Sequence, residues 1–238
     1  MLSSVKKSIR GLPWLLMNPA QVKHLIIRET LYRQRNRNRQ SWVEWQKYDT
    51  YAAACAAVSH SSAIAYYRPL NIARIKTFTT MIADLGKNLT VLDVGCGDGL
   101  LSEPIAKMGN TVASIDLTTI VKVAQKRHVS WVLAGDAEKL SFADSVFDVV
   151  LASEVVEHLW NPDSFLAEAY RVLKPKGYLI VEAPEGKEGL RYDAHKHWFT
   201  LEVLQHMLGS KFSLVQSKRF SREWGAPTPT FIALFHKN

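Results

Sequence analysis

Cysteine is scarce in this chain: Cys55 and Cys96 are the two among 238 residues, far apart and outside any Cys-x-x-Cys pair. That argues against a secreted disulfide framework and against a thiolate metal site, and a reducing compartment is the simpler reading. No apolar run approaches the roughly 20 residues that cross a bilayer, so nothing reads as a membrane-spanning helix. Acids are almost missing from residues 1–40, where Lys6, Lys7, Arg10, Lys23, Arg28, Arg33, Arg35, Arg37 and Arg39 face Glu29 alone. Nine minus one makes that arm +8, which is the net charge of the whole chain, so the other 198 residues are neutral. Glycine and proline are absent from residues 22–58, which read as one or two helices ending in an alanine-rich portion. Internal repeats and low-complexity tracts are also absent.

The length fits one large core plus an appendage. The expected division is a basic helical extension over residues 1–60 and a catalytic-size domain over residues 61–238. A basic arm on a neutral body suits an anionic surface, whether lipid headgroups, RNA or an acidic polymer, and equally suits a solvated arm that binds nothing in particular. The first ten residues are basic, contain serine and lack acids, as in a mitochondrial transit peptide, until Pro13 and Pro19 interrupt. Trp14, Leu15, Leu16 and Met17 beside positive charge also suit a helix lying on an anionic membrane. The expected location is the cytoplasm, peripheral at a membrane surface, or the mitochondrial matrix if the source is eukaryotic.

A helix is expected around residues 64–85, with Ile72, Ile75, Phe78, Thr79 and Ile82 at helical spacing. From Leu89 the pattern alternates. Thr90–Val94, Thr111–Ile115, Trp131–Leu133, Phe147–Leu151 and Tyr178–Glu182 are short β-rich runs separated by segments long enough for helical crossovers. Such alternation predicts an α/β fold, a doubly wound and mostly parallel sheet with helices on both faces. After a helix over about residues 200–208, the runs Phe212–Phe220 and Thr230–His236 suit an antiparallel pair.

The stretch Val91-Leu-Asp-Val-Gly-Cys-Gly-Asp-Gly-Leu-Leu-Ser102 runs from an apolar strand through alternating Gly95, Gly97 and Gly99 into a helix start. Glycines there let the backbone approach a ligand with no Cβ in the way, a design shared by dinucleotide and sulfonium cofactor sites. The loop lacks the G-x-G-x-x-G spacing that aims amides at a pyrophosphate, and it carries Asp93 and Asp98, which suit a cationic amino group better. Nineteen residues beyond Gly97, Asp116 ends the second strand, where a carboxylate accepts from ribose hydroxyls. Asp136 follows the third strand beside Gly135 and Ala137 and is placed to accept from an adenine amino group. Singly, each acid is also an ordinary cap or turn residue.

These segments, together with Gly135-Asp-Ala-Glu-Lys-Leu-Ser-Phe-Ala-Asp-Ser-Val-Phe-Asp-Val-Val-Leu-Ala-Ser-Glu-Val-Val-Glu-His-Leu159 and Arg171-Val-Leu-Lys-Pro-Lys-Gly-Tyr-Leu-Ile-Val-Glu-Ala-Pro184, resemble class I S-adenosylmethionine-dependent methyltransferases over about residues 65–237. The resemblance is greatest to the ubiquinone-type O-methyltransferase, or methyltransferase type 11, group. It implies a seven-stranded Rossmann-like sheet with an antiparallel last strand and S-adenosyl-L-methionine as the cofactor. It also implies cofactor-binding roles for Asp93, Gly95, Cys96 and Gly97 around the methionine part, Asp116 and Leu117 at the ribose, and Asp136 with Ala137 near adenine. Ser153 and Glu154 border the cofactor in this reading. An arginine ahead of the glycine loop meets the cofactor carboxylate in that group; Arg74 is the candidate and Arg68 its rival.

Residues after the fourth strand face the reacting methyl in such a sheet. On a helix beginning near residue 154, Glu154, Glu157 and His158 lie on one face at i, i+3 and i+4. His158 is then the base that removes an acceptor hydroxyl proton, and Glu157 orients it or the substrate. Two alternatives stay open: carboxylates favoured at a helix start by its dipole with His158 merely packed, and a divalent-ion site completed by His195 or His197, as a similar stretch makes in small-RNA 2′-O-methyltransferases. No metal is assigned. Thr200 reads as an N-cap with Phe199 and Leu204 as a hydrophobic staple, Trp198 and the two histidines as closure of the acceptor pocket, and Glu185–Tyr192 as a mobile lid. The expected function is O-methylation of a small molecule or of a glycan or lipid precursor. An RNA methyltransferase using the basic arm and a non-catalytic cofactor-binding protein are the alternatives.

Overall fold

The computed structural model describes residues 63–117, with side chains from residue 72 on, and residues 131–187, 195–220 and 229–238. The expected extension over residues 1–60, its basic arm, the side chain of Arg68 and most of the expected lid lie outside the described residues. In chain order come helix α1 (Ala63–Leu85), strand β1 (Thr90–Val94), helix α2 (Ser102–Lys107), strands β2 (Thr111–Asp116), β3 (Trp131–Ala134) and β4 (Phe147–Ser153), and a 3₁₀ turn (Val156–His158). Helix α3 (Pro162–Val172), strand β5 (Leu173–Pro184), helix α4 (Leu201–Leu208) and strands β6 (Phe212–Phe220) and β7 (Thr230–Lys237) follow.

One seven-stranded sheet runs in the order β3-β2-β1-β4-β5-β7-β6. The neighbours among β1 to β5 are parallel, and β7 lies antiparallel to both β5 and β6. The expected doubly wound sheet with an antiparallel last strand is therefore present. Its cause is visible in the side-chain period of two. Val91, Val149, Leu151 and Ile180 pack with Phe78, Met81, Ile82 and Ile105 of α1 and α2 on one face. Their neighbours Leu92, Val94, Val150, Ala152, Leu179 and Val181 pack with Phe165, Leu166, Leu204 and Leu208 of α3 and α4 on the other. Strands buried on both faces carry continuous apolar runs, and these do.

Three details differ from the sequence reading. Ile72 is exposed, and the stripe that α1 buries is Ala73, Thr77, Phe78, Met81 and Ile82. Strand β5 begins at Leu173, five residues before Tyr178, because Leu173 already pairs with Phe147 and the ladder resumes at Tyr178 after an irregularity. The turn residues Pro175, Lys176 and Gly177 are absorbed in that irregularity, with Lys176 at φ +62°. Finally, no α-helix begins near residue 154. Glu154 takes a left-handed φ of +57°, one 3₁₀ turn follows, and the next helix starts where Asn161 caps Ser164 N–H and Pro162 occupies the first turn.

At the far edge, among the described residues, β6 pairs with β7 alone and leaves Ser213–Arg219 exposed, and Lys218 and Arg219 make that edge a poor template for a further strand. Among the described residues no helix is long and apolar enough to cross a membrane.

Candidate active site

The strand order reverses at β1, which has β2 on one side and β4 on the other, and ligands of open α/β sheets bind at the carboxyl ends beside such a point. The glycine loop lies there. Gly95 N–H and Cys96 N–H both donate to the Ile115 carbonyl at the end of β2, at 2.8 and 3.0 Å. Gly95 sits at φ +69°, and a Cβ on it would come within 2.3 Å of Val155 Cγ2. Only glycine fits, and the loop is thereby pressed against the turn that follows β4. Gly97, at φ +56°, has open space where a Cβ would stand. Its N–H donates to Asp116 Oδ2 at 2.8 Å, while Leu117 N–H donates to Oδ1 at 2.6 Å. Asp116 is partly buried, and desolvation pushes its carboxyl up to about 6 against these two bonds.

Asp93 is turned inward. It is 1% exposed, accepts a hydrogen bond from Ser102 Oγ, and reaches Ser114 through that hydroxyl. It supports the loop from below instead of facing the crevice. The Cys96 thiol is buried and pushed well up by desolvation and by Asp93 and Asp116, so it is no nucleophile. Burial holds the Asp93 carboxyl up at about 7 from an ordinary 3.8. An acid raised on folding stabilises the fold fully below its unfolded pKa, and that contribution is lost as pH rises through the folded value. The interval from 3.8 to about 7 corresponds to up to about 4 kcal/mol. The Asp93→Asn variant is therefore expected to lose less stability than the wild type between pH 4 and 7 and to be the more stable of the two at pH 8. Urea unfolding at both ends of that range measures it, and parallel pH profiles would refute the assignment.

At the end of β3, Gly135 N–H donates to the Asp116 carbonyl at 2.9 Å, which brings Asp136 and Ala137 beside the second strand end. Asp136 Oδ1 accepts from Glu138 N–H at 2.9 Å, an Asx turn. Glu138 Oε1 in turn accepts from Trp160 N–H and Asn161 N–H, at 2.7 and 3.1 Å, and ties this loop to the segment after β4.

That segment carries the second group. The left-handed Glu154 and the 3₁₀ turn bring Glu157, 1% exposed, and His158, 8% exposed, under the loop. The Glu157 carbonyl accepts from Lys196 N–H and His197 N–H, at 2.7 and 3.2 Å, and so holds the 195–199 segment across the turn. The His158 and His195 rings meet edge to face with centroids 4.6 Å apart. His158 Nε2 lies 3.9 Å from Glu157 Oε1, beyond a hydrogen bond and within ion-pair reach. Thr200 caps α4 through Val203 N–H over a buried Phe199 and Leu204, as the sequence implied.

Arg74 of α1 reaches the ends of β4 and β5. Its Nε and Nη2 hold the two carboxylate oxygens of Glu182 at 2.7 and 2.8 Å, and Nη2 also donates to Ser153 Oγ at 2.7 Å. Ser153 Oγ donates to Glu182 as well. Three glutamates thus share one neighbourhood with one arginine. Burial first, and Glu182 second, push the Glu154 carboxyl up to about 7, while burial and Glu154 push Glu157 well up. Neither oxygen of Glu157 meets an N–H or hydroxyl donor. The nearby Glu154 carboxyl thus adds to burial in disfavouring ionisation of Glu157.

The structure therefore brings Gly95, Cys96, Gly97, Asp116, Leu117, Asp136 and Ala137 into one group, and Arg74, Ser153, Glu154, Glu157 and His158 into a second. The loop contact at Val155 joins them. Glu182 and the hydroxyls of Ser102 and Ser114 were missed by sequence reasoning. A lone acid within the apolar run Tyr178–Pro184 was the available signal for Glu182, since a charge in a buried strand requires a partner.

Residues 92–181 match the family model described as methyltransferase domain. The ubiquinone biosynthesis O-methyltransferase of Azorhizobium caulinodans is 42% identical over 101 residues, which is 40% of this chain and 40% of that protein. The mitochondrial one of Rattus norvegicus is 39% identical over 111 residues, 41% of this chain and 32% of its own length. The match thus spans well under half of these relatives. Among solved structures, a SAM-dependent methyltransferase of Methanosarcina mazei is similar with a TM-score of 0.57 at 20% identity, over 66% of this chain and 96% of that one. The cyclase SpnF is similar with the same TM-score at 20% identity, over 68% and 80%. Such likenesses show the fold alone, and the cyclase illustrates that one fold hosts several chemistries. The domain implies S-adenosylmethionine as cofactor, and the site fits it: Gly97 leaves room for a ligand, and Asp116 presents a carboxylate at the strand end beside it. Residues 92–181 thus carry a methyltransferase domain by sequence, on a sheet with the fold of S-adenosylmethionine-dependent methyltransferases.

Proposed function

We propose that the chain is an O-methyltransferase that methylates a hydroxyl of a small-molecule acceptor, with a ubiquinone-type or other lipid precursor as the favoured class. The observation that carries this reading is the imidazole of His158 with Glu157 and His195 packed against the glycine loop through Val155. When bound, the cofactor would supply an electrophilic methyl group on its sulfonium, with S-adenosylhomocysteine as the leaving product. Asp116, beside the open space at Gly97, holds the nucleoside part, Asp136 and Ala137 lie at the adenine side, and Arg74 receives the carboxylate. His158 takes the acceptor's hydroxyl proton. Glu157 orients the imidazole or the acceptor, and alignment of oxygen and methyl supplies most of the rate. The relatives' activity as ubiquinone biosynthesis O-methyltransferases supports the acceptor class, and the mitochondrial rat relative supports a mitochondrial location.

A second reading of the same residues is a divalent-ion site. Ligand atoms of Glu157, His158 and His195 lie within 4.8 Å of one another, the spacing an ion bridges, and one carboxylate with two imidazoles is a reasonable donor set. An ion there would favour the ionised form of Glu157 and orient the acceptor oxygens. One assay tests both. Methyl-labelled cofactor is incubated with catechol and dihydroxybenzoate probes, or with RNA, before and after treatment with a chelator. Labelled small-molecule ether is expected. Chelator-resistant turnover supports His158 acting alone, and loss restored by added magnesium or manganese supports the ion. Label found only in RNA, or nowhere, sinks the proposal.

A further inference from the structure

We infer that Glu182 is a positioning residue for cofactor binding: from β5 it fixes the guanidinium of Arg74 at the crevice beside β4, and so sets where the cofactor's amino-acid end is held. The inference rests on the proposed role of Arg74. Glu182 is fully buried, and it lies opposite Ser153 in the β4–β5 register, at the carboxyl edge of the sheet. Its partner Arg74 comes from 108 residues away in the chain, on α1. Nη2 donates to one Glu182 oxygen and Nε lies at ion-pair distance from the other, so two contacts on one edge of the guanidinium fix its position. Ser153 Oγ, bonded to both Arg74 and Glu182, closes the triangle. An arginine side chain left without such a clamp has several rotatable bonds and loses affinity to the cost of ordering them on each binding event. A fully buried carboxylate in an apolar strand is otherwise costly, since alanine-sized or aliphatic residues fill strand interiors without any charge to satisfy. Its presence is explained by what it holds.

The test uses the whole chain and two ligands, S-adenosylhomocysteine and methylthioadenosine, which lacks the amino-acid end. Their dissociation constants are measured by calorimetry, beside thermal unfolding, for the wild type and for Glu182→Gln, Glu182→Asp and Arg74→Met/Glu182→Met. The glutamine variant is expected to bind S-adenosylhomocysteine roughly tenfold or more weakly, the order expected for a misplaced charge-assisted bond, with methylthioadenosine unchanged. The aspartate variant keeps the ion pair but draws the guanidinium back by about one carbon–carbon bond, so it keeps most of the stability and still shows the ligand-selective loss; it carries the test if the glutamine variant does not fold. The double variant, with an apolar pair of similar volume, is expected to regain the wild-type midpoint while the selective loss persists. Equal weakening of both ligands by the glutamine and aspartate variants, or wild-type affinity in them beside a selective loss in the double variant, overturns the inference alone, whereas wild-type affinity in the double variant overturns the role of Arg74 as well. A wild-type chain that binds neither ligand overturns the proposed function together with it.

Discussion

Replacing His158 by alanine is expected to lower kcat by about 10²–10⁴-fold, the range for removing a positioned general base, with the dissociation constant for S-adenosylhomocysteine unchanged. The separation follows from the two groups of residues. His158 packs on His195 of the 195–199 segment, whereas Gly97, Asp116 and the loop at Asp136, to which the proposed function assigns the nucleoside, form the other group. Because His158 is nearly buried and packed edge to face on His195, truncation also leaves a void, and thermal unfolding of the alanine and glutamine variants separates that from lost chemistry. Glutamine fills the space and cannot take the proton, so it should unfold near the wild-type midpoint yet remain inactive. A glutamine variant that turns over normally would show that His158 is a packing residue, and equal loss of turnover and cofactor affinity would show that it belongs to the cofactor site.

Asp116→Ala should do the reverse. Its carboxylate already accepts from Gly97 N–H and Leu117 N–H, and two ribose hydroxyls are the further donors that a carboxylate at this strand end receives. A hydrogen bond to a charged group contributes about 1.5–3 kcal/mol, so losing two weakens S-adenosylhomocysteine by about 10²-fold or more. The alanine also leaves the Gly97 amide without its acceptor and loosens the glycine loop. Asp116→Asn keeps one good acceptor and should fall between. Calorimetry with S-adenosylhomocysteine and adenosine distinguishes the outcomes: both ligands carry the ribose, so both should weaken together. A loss confined to S-adenosylhomocysteine would place Asp116 at the amino-acid end instead.

Strand β1 and strand β6 lie where the apolar and alternating runs placed them, and the cap at Thr200 was legible from residue type alone. Local chemistry also marked the start of α3, since Asn161 followed by Pro162 is an N-cap before a first-turn proline. The helical reading of residues 154–158 went past that signal. Spacing at i, i+3 and i+4 is compatible with a helix but also with any compact turn, and nothing in the run Glu154-Val-Val-Glu-His158 announces a left-handed φ at a glutamate. Neighbouring contacts hold Glu154 there: Glu154 N–H donates to the Glu182 carbonyl at 3.1 Å, and Val155 packs onto Gly95.

Sequence by itself determined the doubly wound sheet, its cofactor end and the acids at the first three strand ends, because side-chain period, glycine turns and strand-end carboxylates are local or regularly spaced features. Tertiary structure alone decided that Asp93 faces inward onto Ser102, that Arg74 is clamped by Glu182, and that His195 stands against His158. Each of those pairs joins elements whose approach depends on strand order and burial. The charge state of Glu154 and Glu157 follows from the same source, since desolvation and a second carboxyl in contact are properties of the packed fold.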